Sequence, residues 1–429
     1  MKRTYVNEIK QSLDGKQVLL DGWVHEIRDQ SKIKFLLLRD SSGIIQLVSK
    51  KDDKFFNDIT KLSKESVLEV KGVVKKSQQA PNGVEVLIKE FEVLNKAEVL
   101  PIPITDKGDI KTTLPKRLDF RHLDLHNIKT QAIFKIQSEA VNYFRRYFYE
   151  NDFVEIQTPC IISSASEGGT ELFKVKYFEN DAYLAQSPQL YKQMCITGLE
   201  KVTMVVPVWR AEKHNTTRHI NEARQMDMEM AFADEFVVME QLSKAVQYMV
   251  KNILEKSKKE LEILDVKLKV PRDKYLTYDG TIKILQKNGL KVENGDDIPP
   301  EGEKKLCELY KDTIIFVHDW PLKLKPFYIM PKSLDKDEKI SRGFDAIYGG
   351  IEISSGGQRV HLPKILEKQL KDKKLNPKNF EYYISAFRYG APQHSGWSIG
   401  LERFTMAILG FNNIREVTLF PRDRDRLIP

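Results

Sequence analysis

The chain has 429 residues, 41% of them hydrophobic, which is enough for two or three domains with sizeable cores. The 69 lysines and arginines exceed the 61 aspartates and glutamates, and the net charge of +8 would attract a polyanion such as nucleic acid, although many lysine-rich proteins bind none. There is no apolar run of bilayer length, no signal-peptide pattern and no paired spacing of the three cysteines, so we expect a cytoplasmic protein without membrane segment, disulfide framework or zinc site.

Residues 1–97 contain strand-like runs separated by turn signals: VLLDGWVHEI, IKFLLLRD, GIIQLVSK, SVLEVKGVVKK and VEVLIKEFEVL. Five strands without a clear long helix predict a small barrel, most commonly the oligonucleotide-binding (OB) fold. Phe35 is a candidate platform for a nucleotide base, since stacking on an aromatic ring contributes about 1–3 kcal/mol. Alternatively Phe35 is a core aromatic, and the apolar run beside it leaves its face open.

A proline-punctuated stretch with Pro101, Pro103 and Pro115 predicts a linker over residues 98–130. The next segment, QAIFKIQSEAVNYFRRYFYE, predicts a helix, because its apolar side chains share one stripe. The stripe consists of Ile133, Ile136, Ala140, Phe144 and Phe148. Strands and helices alternate irregularly through the rest of 131–429, which predicts an α+β domain.

Two apolar runs, VTMVVPVW and MDMEMAF, flank a polar loop, as in an antiparallel strand pair with a long connection. Arg210 ends the first strand and can present its rigid donor fork to a phosphate. Arg218 and His219 lie on the loop and are candidates for more distal phosphates. The alternative for a basic loop is simple solvation or contact with RNA.

The stretch FDAIYGGIEISSGGQRVH predicts a hairpin with a two-residue loop at 349–350. The expected pairs are Tyr348 with Ile351, Ile347 with Glu352, and Asp345 with Ser354. Asp345 and Glu352 would then share a face as diagonal neighbours about 7 Å apart, within reach of one hard cation such as magnesium. Arg359 follows, and a guanidinium beside such a cation suits phosphates and a carboxylate together. The alternative is an edge hairpin with solvated charges.

The segment GWSIGLERFTMAIL places two glycines before an apolar helix. Gly396 and Gly400 permit close backbone approach, and the helix is expected to bury everything except Arg403. The alternative is an ordinary tight turn.

In order along the chain, NDFVEIQTPCI ending near Pro159, WRAE with its loop and the DMEM strand, and GLER resemble the three signature motifs of class II aminoacyl-tRNA synthetases. The resemblance covers essentially the whole chain. The barrel, with KFLLLRDSSGIIQLV, is similar to the anticodon-binding domain of the subclass for aspartate, asparagine and lysine. SEGGTELF, QSPQLYKQ and ISSGGQRVH resemble the aspartate-activating enzymes of archaeal and eukaryotic type. The resemblance implies an OB barrel, a catalytic domain on an antiparallel sheet flanked by helices, and a homodimer.

The resemblance further implies that L-aspartate reacts with ATP and passes to tRNA-Asp, with Mg²⁺ as the cofactor. Arg210 and Arg403 would be the catalytic residues, and Asp345, Glu352 and Ser355 would hold the metal. The motifs assign ATP binding to Arg210, Ala211, Glu212, Arg218, His219, Ile220, Glu352, Gly400, Leu401, Glu402 and Arg403. Many relatives have an aromatic residue before the aspartate of the DMEM strand to sandwich adenine, whereas this chain has NEARQMD, so either Arg224 stacks on adenine or another residue does.

Specificity for aspartate requires positive charge, which Arg359 would supply bidentately and Lys192 as a point charge. A surface lysine on a helix is the alternative for Lys192. Ser355 would serve either the metal or the amino acid. The resemblance assigns aspartate binding to Glu167, Gln189, Leu190, Tyr191, Lys192, Arg210, Asp227, Ser355 and Arg359.

For tRNA, the resemblance implies that Gln46 and Glu85 read base edges beside Phe35. His25 and Pro81 resemble the relaxed type of barrel that also accepts tRNA-Asn, where strict relatives have Trp and Lys. The alternatives are a strictly discriminating enzyme, an asparagine-activating enzyme of the same architecture, and a non-catalytic tRNA-binding paralogue.

Overall fold

The chain divides into two units, residues 1–106 and 107–429. The computed structural model describes residues 1–104, 112–163, 171–213, 215–335 and 338–429. The division falls within the stretch predicted as a linker, whose limits at 98 and 130 stay predictions. Among the described helices, none is both long enough and apolar enough to cross a membrane.

The first unit contains a closed five-stranded barrel with the strand order β1-β2-β3-β5-β4, which confirms the predicted OB architecture. Leu36 and Leu38 point into the core, so Phe35 lies on the outer face because side chains alternate along a strand. The elements are 3₁₀ turns at Val6–Glu8 and Gln11–Leu13, β1 Gln17–Gln30, β2 Ile33–Arg39, β3 Ile44–Lys50, α1 Phe56–Ile59, β4 Val67–Lys76 and β5 Val84–Asn95.

The second unit is an α+β domain. Its first elements are α2 Leu114–Asp119, α3 Arg121–Asp124, α4 Ile128–Glu150, β6 Val154–Glu155, β7 Ile161–Ile162, β8 Lys174–Tyr177, β9 Asn180–Leu184, α5 Gln189–Leu199, β10 Lys201–Trp209, β11 Glu222–Ala231, α6 Glu235–Lys256 and α7 Lys258–Ile263. They are followed by β12 Arg272–Thr277, α8 Tyr278–Lys287, α9 Pro300–Leu309, β13 Thr313–His318, β14 Gly343–Tyr348, β15 Ile351–Gln358, α10 Pro363–Asp372, α11 Glu381–Arg388, β16 His394–Gly400 and α12 Leu401–Leu409, with 3₁₀ turns at Leu322–Leu324, Pro377–Phe380 and Ile414–Glu416.

An eight-stranded sheet with the order β12-β13-β14-β15-β16-β11-β10-β6 forms the centre of this unit. Its pairs are antiparallel except β12 with β13 and β10 with β6, which are parallel. A small sheet, β7-β9-β8, lies apart from it. The predicted antiparallel sheet flanked by helices is therefore confirmed, with two parallel pairs added at its ends.

The two faces of the central sheet differ in polarity. Helix α4 begins after the cap residue Asn127, whose side chain accepts from the backbone N–H of Lys129. Its predicted apolar stripe is buried against α6, α12 and one sheet face, where Met226 and Met228 lie. The intervening Asp227 on β11 points to the opposite face. That polar face is where the candidate site lies.

The hairpin of β14 and β15 has a different register from the one predicted. The pairs of Tyr348 with Ile351 and of Ile347 with Glu352 are as expected, but Asp345 pairs with Ser355 rather than Ser354. The cause is a β-bulge between Ala346 and Ile347, which inserts one extra residue into β15. Asp345 still shares a face with Ile347, and therefore with Glu352.

Candidate active site

A cavity of about 320 Å³ opens on the polar face of the sheet. It brings together side chains from segments far apart in sequence: the end of β10, the loop 215–221, β11, β15 and the start of α12. The predicted site residues on its wall are Gln189, Arg210, Glu212, Arg218, His219, Ile220, Asp227, Glu352, Ser355, Arg359, Gly400, Glu402 and Arg403. These predicted residues therefore line one cavity, and their individual roles stay predictions.

Several predicted residues do not line this cavity: Ala211, Leu190, Tyr191, Lys192, Asp345 and Leu401. Leu190 and Leu401 are buried in hydrophobic clusters. The backbone N–H of Ala211 donates to Glu171 O at 3.0 Å. Lys192 and Asp345 are bonded directly to residues of the wall, as described below. Glu167 lies outside the described residues.

At one end of the cavity, Asp227 and Arg359 are on the wall and are bonded to Lys192 and Glu229 behind it; we call these four residues the buried end. Lys192 Nζ donates to Asp227 Oδ1 at 2.8 Å and lies 3.4 Å from Glu229 Oε2. Arg359 holds Glu229 bidentately, through Nε at 2.8 Å and Nη2 at 3.2 Å. All four side chains are buried. They form a continuous network of two cations and two anions.

The pKa values of the two acids of the buried end reflect both their burial and their pairing with Lys192 and Arg359. Burial raises the pKa of Asp227 above its ordinary value, although Lys192 acts in the opposite direction. Burial alone would also raise the pKa of Glu229, but Arg359 and Lys192 outweigh it, so this pKa is lowered. Glu229 is therefore the ionised anchor of Arg359. Sequence reasoning did not single it out, although the alternation in DMEM places it on the same face as Asp227.

His394 packs beside this network as a neutral group. Its ring stacks on Phe387 with centroids 5.7 Å apart. Nδ1–H donates to Pro392 O at 2.8 Å, and Nε2 accepts from the side-chain amide of Gln193 at 2.9 Å. Burial lowers the pKa of His394 to about 4. The nearby anion Glu229 is thus neutralised by Arg359 and Lys192 rather than by the imidazole.

At the other end, which we call the open end, two acids behind the wall, Glu303 and Asp345, are bonded to Arg218 and Lys325. The wall residues of the open end are Arg210, Arg218, Lys325, Glu352 and Arg403. Arg218 donates to Gly350 O at 3.0 Å and also contacts Glu303. Arg403 Nη1 donates to Glu352 O at 3.3 Å. The side chains of Arg218 and Arg403 are 17% and 28% exposed, so part of each guanidinium still faces the cavity.

The acids of the open end are incompletely neutralised. Lys325, a residue that sequence reasoning missed, donates to Asp345 Oδ2 at 2.6 Å. The confined position of Glu352 and the neighbouring Asp345 raise the pKa of Glu352 to about 7. Glu303, also missed, has a raised pKa because it is buried, despite Arg218. Lys325 and Glu303 come from distant segments with no local motif, so only the tertiary structure reveals them.

The chemistry of Asp345, Glu352 and Ser355 fits a hard divalent cation. Carboxylate and hydroxyl oxygens are suitable ligands, and Ser355 pairs directly with Asp345. Within the described part of the chain, no cluster of three or more His, Cys, Asp or Glu side chains could hold a metal. Magnesium commonly takes further ligands from bound phosphates.

The wall beside Glu402 is the candidate region for an adenine base. The backbone N–H of Arg224 donates to Glu402 Oε2 at 3.1 Å, and burial raises the pKa of Glu402 to about 7. The Arg224 side chain is 43% exposed and contacts Glu222. Its guanidinium plane is therefore accessible for stacking.

In the barrel, the candidate base-reading residues lie on the outer face of their strands, where Gln46 is buried and Glu85 is half-buried. Gln46 Nε2 donates to Glu85 Oε2 at 3.1 Å, which joins strands β3 and β5. Phe35 is half-buried on the adjacent strand β2. His25 lies at a β-bulge in β1, and Pro81 is exposed in the turn between β4 and β5.

Both units match family models. Residues 113–424 match the family of class II tRNA synthetases (D, K and N), and residues 18–94 match the OB-fold nucleic acid binding domain. The chain is 47% identical to the aspartate–tRNA(Asp) ligase of Pyrococcus furiosus, over 100% of both chains. It is 45% identical to the aspartate–tRNA(Asp/Asn) ligase of Methanocaldococcus jannaschii, over 99% of this chain and 98% of that protein.

Solved structures of tRNA synthetases share the fold of this chain. The asparaginyl-tRNA synthetase of Pyrococcus horikoshii complexed with asparaginyl-adenylate superposes with a TM-score of 0.95 at 36% identity, covering 100% of both chains. The aspartyl-tRNA synthetase of Entamoeba histolytica superposes with a TM-score of 0.88 at 32% identity, covering 100% of this chain and 93% of that one.

Proposed function

Because the chain belongs to the class II tRNA synthetases of the aspartate, lysine and asparagine group, we propose that it activates L-aspartate with ATP and transfers it to tRNA. The observation that carries the choice of aspartate is Arg359, a buried guanidinium on the cavity wall that Glu229 holds bidentately. Relatives over the full length are named aspartate–tRNA ligases.

The buried end suits a zwitterion with a second carboxylate. Asp227 lines the cavity and would take the substrate ammonium, while Arg359 retains Nη1 for the side-chain carboxylate. Lys192 already donates to Asp227, Met228 O and Trp397 O, so it acts as a positive charge behind the wall. A unit pair at 4 Å contributes about 4 kcal/mol at an effective dielectric of 20. The uncharged side chain of asparagine would lose this attraction. We therefore expect aspartate to be preferred over asparagine by a factor on the order of 10⁴.

At the open end, the proposed step is attack of the aspartate α-carboxylate on the α-phosphorus of ATP. The bond to pyrophosphate breaks and aspartyl-adenylate forms. A terminal ribose hydroxyl of tRNA then takes the aspartyl group and AMP leaves. Arg210 would contact the α-phosphate and the attacking carboxylate, and Arg218 and His219 the outer phosphates. Arg403 would stack on adenine and reach the γ-phosphate. Fixed cations suit this reaction because charge develops on phosphate oxygens.

Asp345 and Glu352, with Ser355 beside them, would hold Mg²⁺. When bound, the ion would neutralise phosphate charge. The two carboxylates are held in fixed positions, since both lie on paired strands of the central sheet.

The main competitor is an asparagine-activating enzyme, favoured by the high similarity to the asparaginyl-tRNA synthetase fold. The two predict opposite results in ATP–pyrophosphate exchange, which measures amino-acid activation without tRNA. We expect exchange with aspartate to exceed that with asparagine by at least a thousandfold; the reverse order would establish the competitor. A non-catalytic paralogue would give neither, but Arg210, Glu352 and Arg403 are all present.

We further propose that the enzyme charges both tRNA-Asp and tRNA-Asn. The support is His25 and Pro81 in the barrel, where a bulky ring or a cation would sharpen reading of the third anticodon base. The relatives include proteins named for Asp alone and for Asp/Asn. Comparable charging rates on the two purified tRNAs would support the proposal, and a hundredfold preference for tRNA-Asp would refute it.

A double variant tests the residues themselves. H25W combined with P81K should shift the preference toward tRNA-Asp by about 10-fold or more. The matched control is Gln79→Lys, which adds the same charge at an exposed position of the same turn. An equal shift in the control would show that the effect comes from non-specific electrostatic attraction to tRNA.

A homodimer is the proposed assembly. Apolar side chains next to the segment that ends at Pro159 are exposed in the single chain, with Tyr149 at 82%, Val154 at 44% and Ile161 at 47%. Exposed apolar side chains grouped in this way commonly mark an interface. Light scattering should give twice the 49.8 kDa chain mass, whereas a monomer at micromolar concentration would contradict the proposal.

The cytoplasm, where tRNA is charged, is the proposed location.

A further inference from the structure

The C-terminal segment, residues 413–426, packs along the loop 215–221 that forms one wall of the cavity. The backbone N–H of Ile414 donates to Thr217 O at 2.8 Å. At the other end of the loop, the N–H of Asn221 donates to Arg422 O at 2.7 Å. The loop is thus attached at two points to residues about two hundred positions later in the chain.

Arg415 is the centre of this attachment. Its Nε donates to Asp423 Oδ2 at 2.6 Å, Nη1 to Thr216 O at 2.8 Å and Nη2 to Asn215 Oδ1 at 2.7 Å. The Arg415 side chain is only 11% exposed and that of Asp423 only 7%. Two nitrogens of one rigid guanidinium therefore bind the first residues of the loop, while the third is fixed by Asp423 within the C-terminal segment itself.

The loop in turn presents Arg218 and His219 to the cavity. Its residues belong to no helix or strand, so their position depends on such anchors. From this loop Arg218 donates to Gly350 O at 3.0 Å and also contacts Glu303. The buried end contains no residue of the loop.

We infer that Arg415 is a positioning residue for ATP: through the loop 215–221 it holds Arg218 and His219 where the outer phosphates bind. This inference rests on the proposed function, because it assumes that ATP occupies the open end. It predicts a selective effect, since loosening the loop weakens contacts with phosphates but leaves Asp227 and Arg359 in place.

The test is Arg415→Met in the full-length protein, assayed by aspartate-dependent ATP–pyrophosphate exchange. The loss of charge-assisted hydrogen bonds should raise KM for ATP by about 10-fold to 100-fold. KM for aspartate should stay within about twofold. Arg415→Lys, which keeps the charge beside Asp423 but loses the fork, should lie between. The control Arg424→Met removes an exposed arginine of the same segment and should change neither constant. Equal changes in both KM values would overturn the inference.

A second measurement does not need catalysis. Tryptic cleavage after Arg218, followed by mass spectrometry, reports whether the loop is held. Cleavage in Arg415→Met should be at least about 10-fold faster than in the wild type and Arg424→Met; equal rates would overturn the inference. If Arg415→Met does not fold, Asp423→Asn replaces it with the same expectations. If the wild type shows no aspartate-dependent exchange, the proposed function fails, while the cleavage rates still decide whether Arg415 anchors the loop.

Discussion

The two ends of the cavity neutralise their charges in different ways. At the buried end, Lys192, Asp227, Glu229 and Arg359 are partnered with one another and enclosed. At the open end, the charged side chains stay partly accessible: those of Arg218, Arg403 and Glu352 are 17%, 28% and 36% exposed. The buried end is complete before a ligand arrives, whereas the open end is completed by what binds there.

This difference matches the demands of the two ligands. A small amino acid with a fixed charge pattern is best selected by a rigid, preorganised set of charges, because such groups need no reorganisation on binding. A nucleotide binds together with its own cations, so its site can instead contain charged side chains that are not fully paired before the nucleotide arrives. The comparison therefore predicts large, unconditional effects of mutations at the buried end, and smaller, ligand-dependent ones at the open end.

The largest effect is expected for Arg359→Met. It removes the partner of the aspartate side chain and leaves Glu229 buried with one cation fewer. Aspartate-dependent exchange should fall by at least about a thousandfold. The free energy of unfolding should fall by about 3–5 kcal/mol, as for other broken buried pairs.

The matched control is Arg342→Met, which breaks an arginine–glutamate pair with Glu235 away from the cavity. Its stability loss should be smaller, since the Arg342 side chain is 32% exposed, and its KM for aspartate should not change. Undiminished aspartate activation in Arg359→Met would refute the assigned recognition role.

The same contrast explains what the sequence predicts and what it does not. The strands of the barrel, the α4 stripe and the β10–β11 pair follow from local periodicity, and the structure confirms them. The register of Asp345 could not be predicted, because a β-bulge leaves no fixed sequence signal. Lys325 and Glu303 were missed because their partners lie far away in the chain. Glu229 had a visible signal in its alternation with Met228.

The next effect concerns the dependence of stability on pH through His394, which packs beside the buried end. The folded-state pKa of His394, about 4, lies below the ordinary value of 6.5, so the unfolded chain binds its proton more tightly. Stability should be full above pH 6.5 and fall as the pH drops toward 4, by about 3 kcal/mol from this group. In H394Q this component should be absent, so the denaturation free energies of variant and wild type should converge at low pH. Parallel curves would contradict the prediction.

At the open end, Lys325→Met should tighten cation binding. The ammonium of Lys325 occupies Asp345 in the structure, and one charge-assisted bond contributes about 1.5–3 kcal/mol. The affinity of the nucleotide-free protein for Mn²⁺, measured by paramagnetic resonance as a substitute for Mg²⁺, should rise by about 10-fold. Lys323→Met, an exposed lysine two residues earlier, should leave it unchanged. Equal affinities in all three proteins would show that Asp345 is not a cation ligand.

The smallest effect is expected where the open end meets adenine. Arg224 lies on the cavity wall with its side chain 43% exposed, and a cation over an aromatic ring at an exposed site contributes about 0.5–1 kcal/mol. Arg224→Met should therefore raise KM for ATP about threefold and leave KM for aspartate unchanged. An unchanged KM for ATP would assign the adenine to other groups of the wall, whereas a hundredfold rise would mean that the open end is as preorganised as the buried end.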